Sequence, residues 1–183
     1  MDVSQEDIER AQKGDADAFE MIYKTYSAFV YNCGRRIVQS SEDAEELTQE
    51  VFLKVYYELK NFRYESSLKT WIYRVTVNMA INFAKKKSRH SNREVIYNEA
   101  DAPVDGDVRI SSEREHQKHL ADRLLGMLSP DQRAVVTLRS IEGLSYDEIA
   151  ETLKINLNTV RTRLKRAREK MMSLKSEITH DQL

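Results

Sequence analysis

The sequence predicts an all-α protein: two small helical domains joined by a flexible acidic linker. Three observations predict it. The 183 residues include 5 Gly and 2 Pro, too few for the closely spaced turns of sandwiches, barrels and phosphate-cradling loops. Glu, Lys, Arg, Leu and Ala are abundant, and apolar residues recur at three- and four-residue steps along most of the chain. That periodicity is lost from about Ser91 to Ser112, where Glu99, Asp101, Asp105 and Asp107 accompany Pro103 and Gly106. Residues 93–112 are therefore expected to link a first domain, 1–92, to a second, 113–183.

The elements follow in order. A first helix carries Ile8 and Ala11 and stops at Gly14. Asp15 or Asp17 caps a second, whose Phe19, Ile22, Tyr23, Tyr26, Phe29, Val30 and Cys33 make one apolar face. Ser40, Ser41, Glu42 and Asp43 open a third, with acidic groups in the first turn where the helix dipole favours them. Leu47, Val51 and Val55 form its stripe with Phe52 beside them, and Asp43, Glu46, Gln49, Glu50 and Lys54 lie opposite. Residues 61–67 are too polar and irregular for a buried element and read as a loop, in which Phe62 and Tyr64 are expected to be exposed. A long helix follows from about Leu68, with Trp71, Ile72, Val75, Met79 and Phe83 as its apolar positions. It ends in Lys85, Lys86, Lys87, Arg89 and Arg93.

The second half opens with a polar helix carrying Leu120, Leu124 and Leu128. Ser129-Pro130-Asp131-Gln132 is a helix start: Ser129 caps, Pro130 suits the first helical position and Gln132 reaches back. Val135, Val136 and Leu138 follow, and Gly143 stops the helix. Ser145 and Glu148 form a second capping box, before a short helix with Ile149, Ala150 and Leu153. A tight turn leads to a last helix starting near Asn158.

Composition narrows the function classes. A single cysteine excludes an internal disulfide and any multi-Cys zinc site, and fits a reducing compartment. The acidic N-terminus does not read as a signal peptide, and no apolar run approaches the ~18 residues of a membrane span. A cytoplasmic protein with no membrane contact of its own is expected. The net charge of −1 is an average that hides clustering, and clustering is what a polyanion feels.

Three constellations carry chemistry. From Leu144 to Lys170, a short helix, a sharp turn and a basic helix make a helix-turn-helix. Small Ala150 permits close approach, and Arg161, Thr162, Lys165, Arg166 and Arg168 fall on the outward face, which fits a major groove. From Phe62 to Arg93, aromatic residues alternate with Arg63, Lys69, Arg74 and the Lys85–Lys87 run, as in platforms that stack unpaired bases. Trp71 is assigned to the core. The Asp43–Glu50 face is either solvated or a docking surface for a basic partner. His116 and His119 lie three apart without a third ligand, and no nucleophile elbow, Walker motif or dinucleotide motif occurs. No enzyme, metal or cofactor is expected.

Together these stretches resemble a known family. Residues 43–54, DAEELTQEVFLK, resemble region 2.2 of bacterial sigma factors, and 62–78, FRYESSLKTWIYRVTVN, resemble regions 2.3 and 2.4. Residues 144–150, LSYDEIA, and 159–168, TVRTRLKRAR, resemble region 4.2. Their order and spacing, without regions 1.1 and 3, are those of the extracytoplasmic-function, or group 4, sigma factors.

The resemblance implies a promoter-specificity subunit whose partners are core RNA polymerase (β′ clamp helices and β flap), promoter DNA and an anti-sigma factor, commonly membrane-linked. Asp43, Glu46, Gln49, Glu50 and Phe52 would dock on the clamp helices. Phe62 and Asn78 would pocket a flipped base of the melted −10 element, with Lys69 and Arg74 on its backbone and Lys85, Lys86 and Lys87 on nearby duplex phosphates. Arg161, Thr162, Lys165 and Arg166 would read the −35 duplex, while Arg139, Tyr146 and Thr159 hold phosphates. The acidic linker would run toward the RNA exit path. The family's Pro-x-Gly at the start of the recognition helix is replaced by Asn156-Leu157-Asn158, where Asn also caps. The alternative is a LuxR-type helix-turn-helix regulator, which would not need the first half's docking face and loop-helix.

Overall fold

The computed structural model describes residues 3–94 and 113–180, with side-chain detail over 3–88 and 120–173. Residues 95–112 of the expected linker lie outside the described residues, as do the side chains of Arg89, Arg93, His116 and His119. The described residues form helices and no strand.

The first half is α1 (Gln5–Gln12), α2 (Ala16–Val38), α3 (Ser41–Glu58), a 3-10 turn (Leu59–Asn61) and α4 (Leu68–Glu94). Each of the first three starts on a polar side chain that accepts an otherwise orphaned helical N–H. Ser4 takes it from Asp7, Asp15 from Ala18 and Ser40 from Asp43. Ile22, Tyr26, Val30, Cys33 and Ile37 give α2 a buried stripe, which packs on α3 through Leu47, Val51 and Val55. At their crossing a Cβ on Gly34 would lie 2.8 Å from Leu47 Cδ2, so glycine permits the close approach. Tyr23, expected on the apolar face, is instead exposed. Its ring rests edge-on against Phe52, 4.7 Å between centroids.

The second half is α5 (Glu113–Gly126), α6 (Pro130–Val136), a π turn (Thr137–Ile141), α7 (Tyr146–Leu153) and α8 (Leu157–His180). Both expected capping boxes form, Ser129 with Gln132 and Ser145 with Glu148. Leu125, not Leu124, takes a buried position on α5 beside Leu128. α8 carries the packing of α5, α6 and α7.

The two halves pack on each other: α4 lies against α6 and α7, and α2 against α5 and α6. α4 is thus covered by α2 and α3 as well as by α6 and α7, and its buried surface, which includes Tyr73, Val77, Ala80, Ile81 and Ala84, is wider than the single stripe expected. Trp71, Met79 and Phe83 are only partly buried.

Candidate nucleic-acid and protein interfaces

The helix-turn-helix is built from local rules. Lys154, in the left-handed region at φ 52°, ends α7, and the Ile155 N–H returns to the Ala150 carbonyl at 3.0 Å. Asn156 Oδ1 accepts the Asn158 N–H at 2.8 Å, and its carbonyl accepts from Thr159 and Val160. The Asn substitution for the family's Pro-x-Gly therefore supplies its own start to α8. Ile149 and Leu153 of α7 and Val160, Leu164 and Ala167 of α8 are buried. Their positions force Arg161, Thr162, Lys165, Arg166 and Arg168 outward, where all are exposed. Arg139 donates to the Leu144 carbonyl at 2.9 Å and lies 5.4 Å over the Tyr146 ring. Arg139 and Tyr146 thus stand together at the start of α7, and Thr159 lies in the first turn of α8, with Tyr146 and Thr159 half-buried. The Ser145 N–H holds the Glu148 carboxyl below its usual range.

The 61–67 loop departs from expectation. Phe62 is 8% exposed, while Tyr64 is 41% exposed as expected. The correction has a physical cause: Phe62 is covered by two aromatic neighbours, Tyr64 at 4.9 Å and Trp71 at 5.4 Å between centroids. Lys69 is exposed and sits 5.9 Å over the Phe29 ring. Arg74 and Asn78 follow along α4. Arg74 pairs with Glu151 of α7, and Asn78 donates to the Thr152 carbonyl at 3.4 Å. Lys85 pairs with Asp131 at 2.7 Å, and the same carboxylate takes Arg163 of α8 at 3.1 Å. Lys86 is exposed, and Lys87 pairs with Asp43 at 2.7 Å. Arg35–Asp122 at 3.0 Å and Arg36–Glu142 at 3.8 Å also join the halves.

On α3, Glu46, Gln49 and Glu50 are open to solvent, but Asp43 and Phe52 are not, at 9% and 4% exposed. Asp43 is turned under the Lys87 ammonium, and Phe52 belongs to the core. The stripe instead continues through Leu53, Tyr56 and Tyr57, all exposed, at steps of three and four from Glu46, Gln49 and Glu50. Sequence reasoning missed these three. The signal was present as a second periodicity on α3, offset from Leu47, Val51 and Val55. An open cleft of about 340 Å³ lies where the halves meet, lined by Phe29, Lys69, Tyr73, Arg74, Glu148 and Glu151 among others. Among the described residues no cluster of three His, Cys, Asp or Glu side chains is placed to hold a metal, and no helix is long and apolar enough to cross a membrane.

Two helical units, one ending in a basic-faced helix-turn-helix, have the form of a nucleic-acid-binding protein. Comparison with known proteins specifies the class. Residues 22–90 match Sigma-70 region 2 and residues 118–171 match Sigma-70, region 4. The RNA polymerase sigma-H factor of Pseudomonas aeruginosa is 33% identical over 170 residues, 88% of each chain. The ECF RNA polymerase sigma-E factor of Escherichia coli K12 is 36% identical over 170 residues, again 88% of each. Among solved structures, CnrH in complex with the cytosolic domain of CnrY shares the fold at TM-score 0.66 and 19% identity, covering 96% of this chain and 99% of that one. The sigma factor RpoE in complex with the anti-sigma factor NepR from Bartonella quintana does so at TM-score 0.64 and 21% identity, covering 86% and 96%. The chain belongs to the sigma-70 family of RNA polymerase sigma factors, in its extracytoplasmic-function branch, and its function is promoter-specific transcription initiation.

Proposed function

We propose that this sigma factor divides promoter reading between its halves, with no bond-making chemistry of its own. The second half reads the −35 duplex through Arg161, Thr162, Lys165 and Arg166 in the major groove, with Arg139, Tyr146 and Thr159 on phosphates. The observation that carries this reading is the exposed basic face of α8, set by an opposite face locked in the core. The first half captures the melted −10 strand. Phe62, backed by Trp71, is a wall of the base pocket rather than an open platform, and Asn78 lies two turns beyond Trp71 on α4. Lys69 and Arg74 follow the backbone, and Lys85, Lys86 and Lys87 meet duplex phosphates. Core polymerase docks on the α3 stripe of Glu46, Gln49, Glu50, Leu53, Tyr56 and Tyr57.

In the arrangement described, Arg74, Asn78 and Lys85 are engaged by α6 and α7. Reading the −10 element therefore requires the halves to part. The RpoE of Bartonella quintana, which shares the fold, was solved in complex with an anti-sigma factor, and this supports such a partner here. A cytoplasmic location follows from the polymerase it serves.

The test is reconstitution with bacterial core RNA polymerase and multi-round transcription on a genomic fragment library. Transcripts with defined starts that depend on this chain are expected, and their upstream DNA gives both promoter elements. Folded protein that neither binds core nor yields transcripts would overturn the division of labour proposed for the two halves.

A further inference from the structure

The loop that carries Phe62 is held from a distance by one side chain of the N-terminal helix. Gln12 is the last residue of α1 and lies 47 to 52 positions before its partners. Its Nε2 donates to the Leu59 carbonyl and to the Phe62 carbonyl, both at 3.0 Å. Its Oε1 accepts from the Tyr64 hydroxyl at 3.2 Å. Both amide hydrogens and the amide oxygen are thus spent on residues 59–64. The orientation of the amide is not arbitrary: two carbonyls can be served only by the NH2 end.

These partners need serving. The Leu59 carbonyl closes the 3-10 turn at the end of α3, where helical carbonyls run out of intrahelical donors, and it already accepts the Phe62 N–H at 3.0 Å. The Phe62 carbonyl sits in the irregular stretch that follows. Tyr64 has φ +58°, a backbone state that a bulky residue keeps only when its surroundings hold it there. Those surroundings are the Gln12 amide on its hydroxyl and the Phe62 ring on its own ring. α1 is itself fixed: Ile8 and Ala11 are buried, and Arg10 at the same end pairs with Asp15, the cap of α2.

We propose that Gln12 is a positioning residue for −10 strand capture, setting the Phe62–Tyr64 wall through three hydrogen bonds while touching no DNA itself. The inference rests on the assignment of that wall to the captured base. A displacement of the wall by about 1 Å is enough to weaken a positioned contact severely. The substitution that isolates the role is Gln12→Glu. It keeps the shape of the side chain but presents acceptors to two carbonyls, so the brace becomes a repulsion. Tyr64→Phe removes one of the three bonds without introducing any mismatch.

The experiment uses the full chain bound to core polymerase. Its probe is a fluorescein-labelled single strand from the non-template −10 region of a promoter that the holoenzyme transcribes. Four readouts are taken together: affinity for that strand, affinity for core, affinity for the −35 duplex and thermal midpoint. Gln12→Glu is expected to lose about tenfold or more in single-strand affinity. Tyr64→Phe should lose less in the same direction, with core and −35 duplex binding unchanged in both. Wild-type strand affinity in both variants would overturn the proposal. So would a parallel loss of core, duplex and strand binding, which would mark Gln12 as merely structural. Phe62→Leu, which keeps the bulk and removes the ring, separates the two ideas. If it binds the strand normally, the wall assignment itself falls. If it fails while Gln12→Glu does not, only the brace falls.

Discussion

Arg166 reaches solvent between two buried neighbours, Leu164 and Ala167, so its direction is fixed by packing it does not itself make. A guanidinium so placed suits bidentate contact with a guanine edge. Arg166→Ala is expected to weaken −35 recognition by roughly 1–3 kcal/mol. Transcription from a −35-dependent promoter, compared with one carrying a changed −35 element, measures it. Cys33 shows the opposite fate of a side chain. Burial pushes its thiol up to about 12 from an ordinary 9.0. The folded chain keeps a proton that the unfolded chain releases, so this contribution is whole below pH 9.0 and is lost as pH rises toward 12. A Cys33→Ala variant should show a flatter decline of denaturant midpoint above pH 9.0 than the parent. The native thiol should also resist an aromatic disulfide reagent that the unfolded chain consumes at once.

Caps and stripes govern the next scale. Ser145 and Glu148 hold the first turn of α7 reciprocally, with the Ser145 N–H on Glu148 at 2.7 Å and the Glu148 N–H on Ser145 at 3.2 Å. Ser145→Ala should lower stability by about 1 kcal/mol, read as a fall in the thermal midpoint. On α3, Tyr57 is 66% exposed, so Tyr57→Ala should leave the melting temperature nearly unchanged while reducing pull-down of core polymerase. Glu50→Arg should act on core binding in the same direction. This is also the scale at which the sequence was most legible. Ser129, Ser145, Asp15 and Ser40 act within three residues of themselves, and local chemistry decides such starts. Asp43 was misread because it does two things at once. Its N–H joins the Ser40 cap while its carboxylate reaches Lys87, which lies 44 residues on. Phe52 stays beside the α3 stripe instead of facing a partner, and Tyr23 leaves the α2 stripe for its edge, because neighbouring positions on a helix differ by 100° and a ring at the edge of a stripe goes where another ring receives it. Tyr64's left-handed backbone carries no sequence signal, since it depends on Gln12, 52 residues away.

Between the halves, the contacts are long-range and mixed. Arg35 and Asp122 lie 87 residues apart, and Arg74 and Glu151 lie 77 apart. Nothing in one sequence matches such carboxylates to such guanidiniums, and this is why α4 was expected to be buried on one side only. Each exposed pair contributes about 0–1 kcal/mol, so the ionic part of the contact is modest and salt-sensitive. Glu151→Arg sets like charges against each other at Arg74. The radius of gyration by small-angle scattering should rise in that variant at low salt, and the wild-type value should move toward it as salt is raised. A wild-type radius in the variant would mean that the apolar packing of α4 on α6 and α7 closes the molecule without help from charge.

Asp131 stands where these scales meet, since its carboxylate takes Lys85 from the long helix of the first half and Arg163 from the recognition helix of the second. Replacing it releases two basic partners on two different helices at once. Across related genes, positions 85, 131 and 163 should therefore covary more than neighbouring surface positions do, a pattern that an alignment of descendants would make visible.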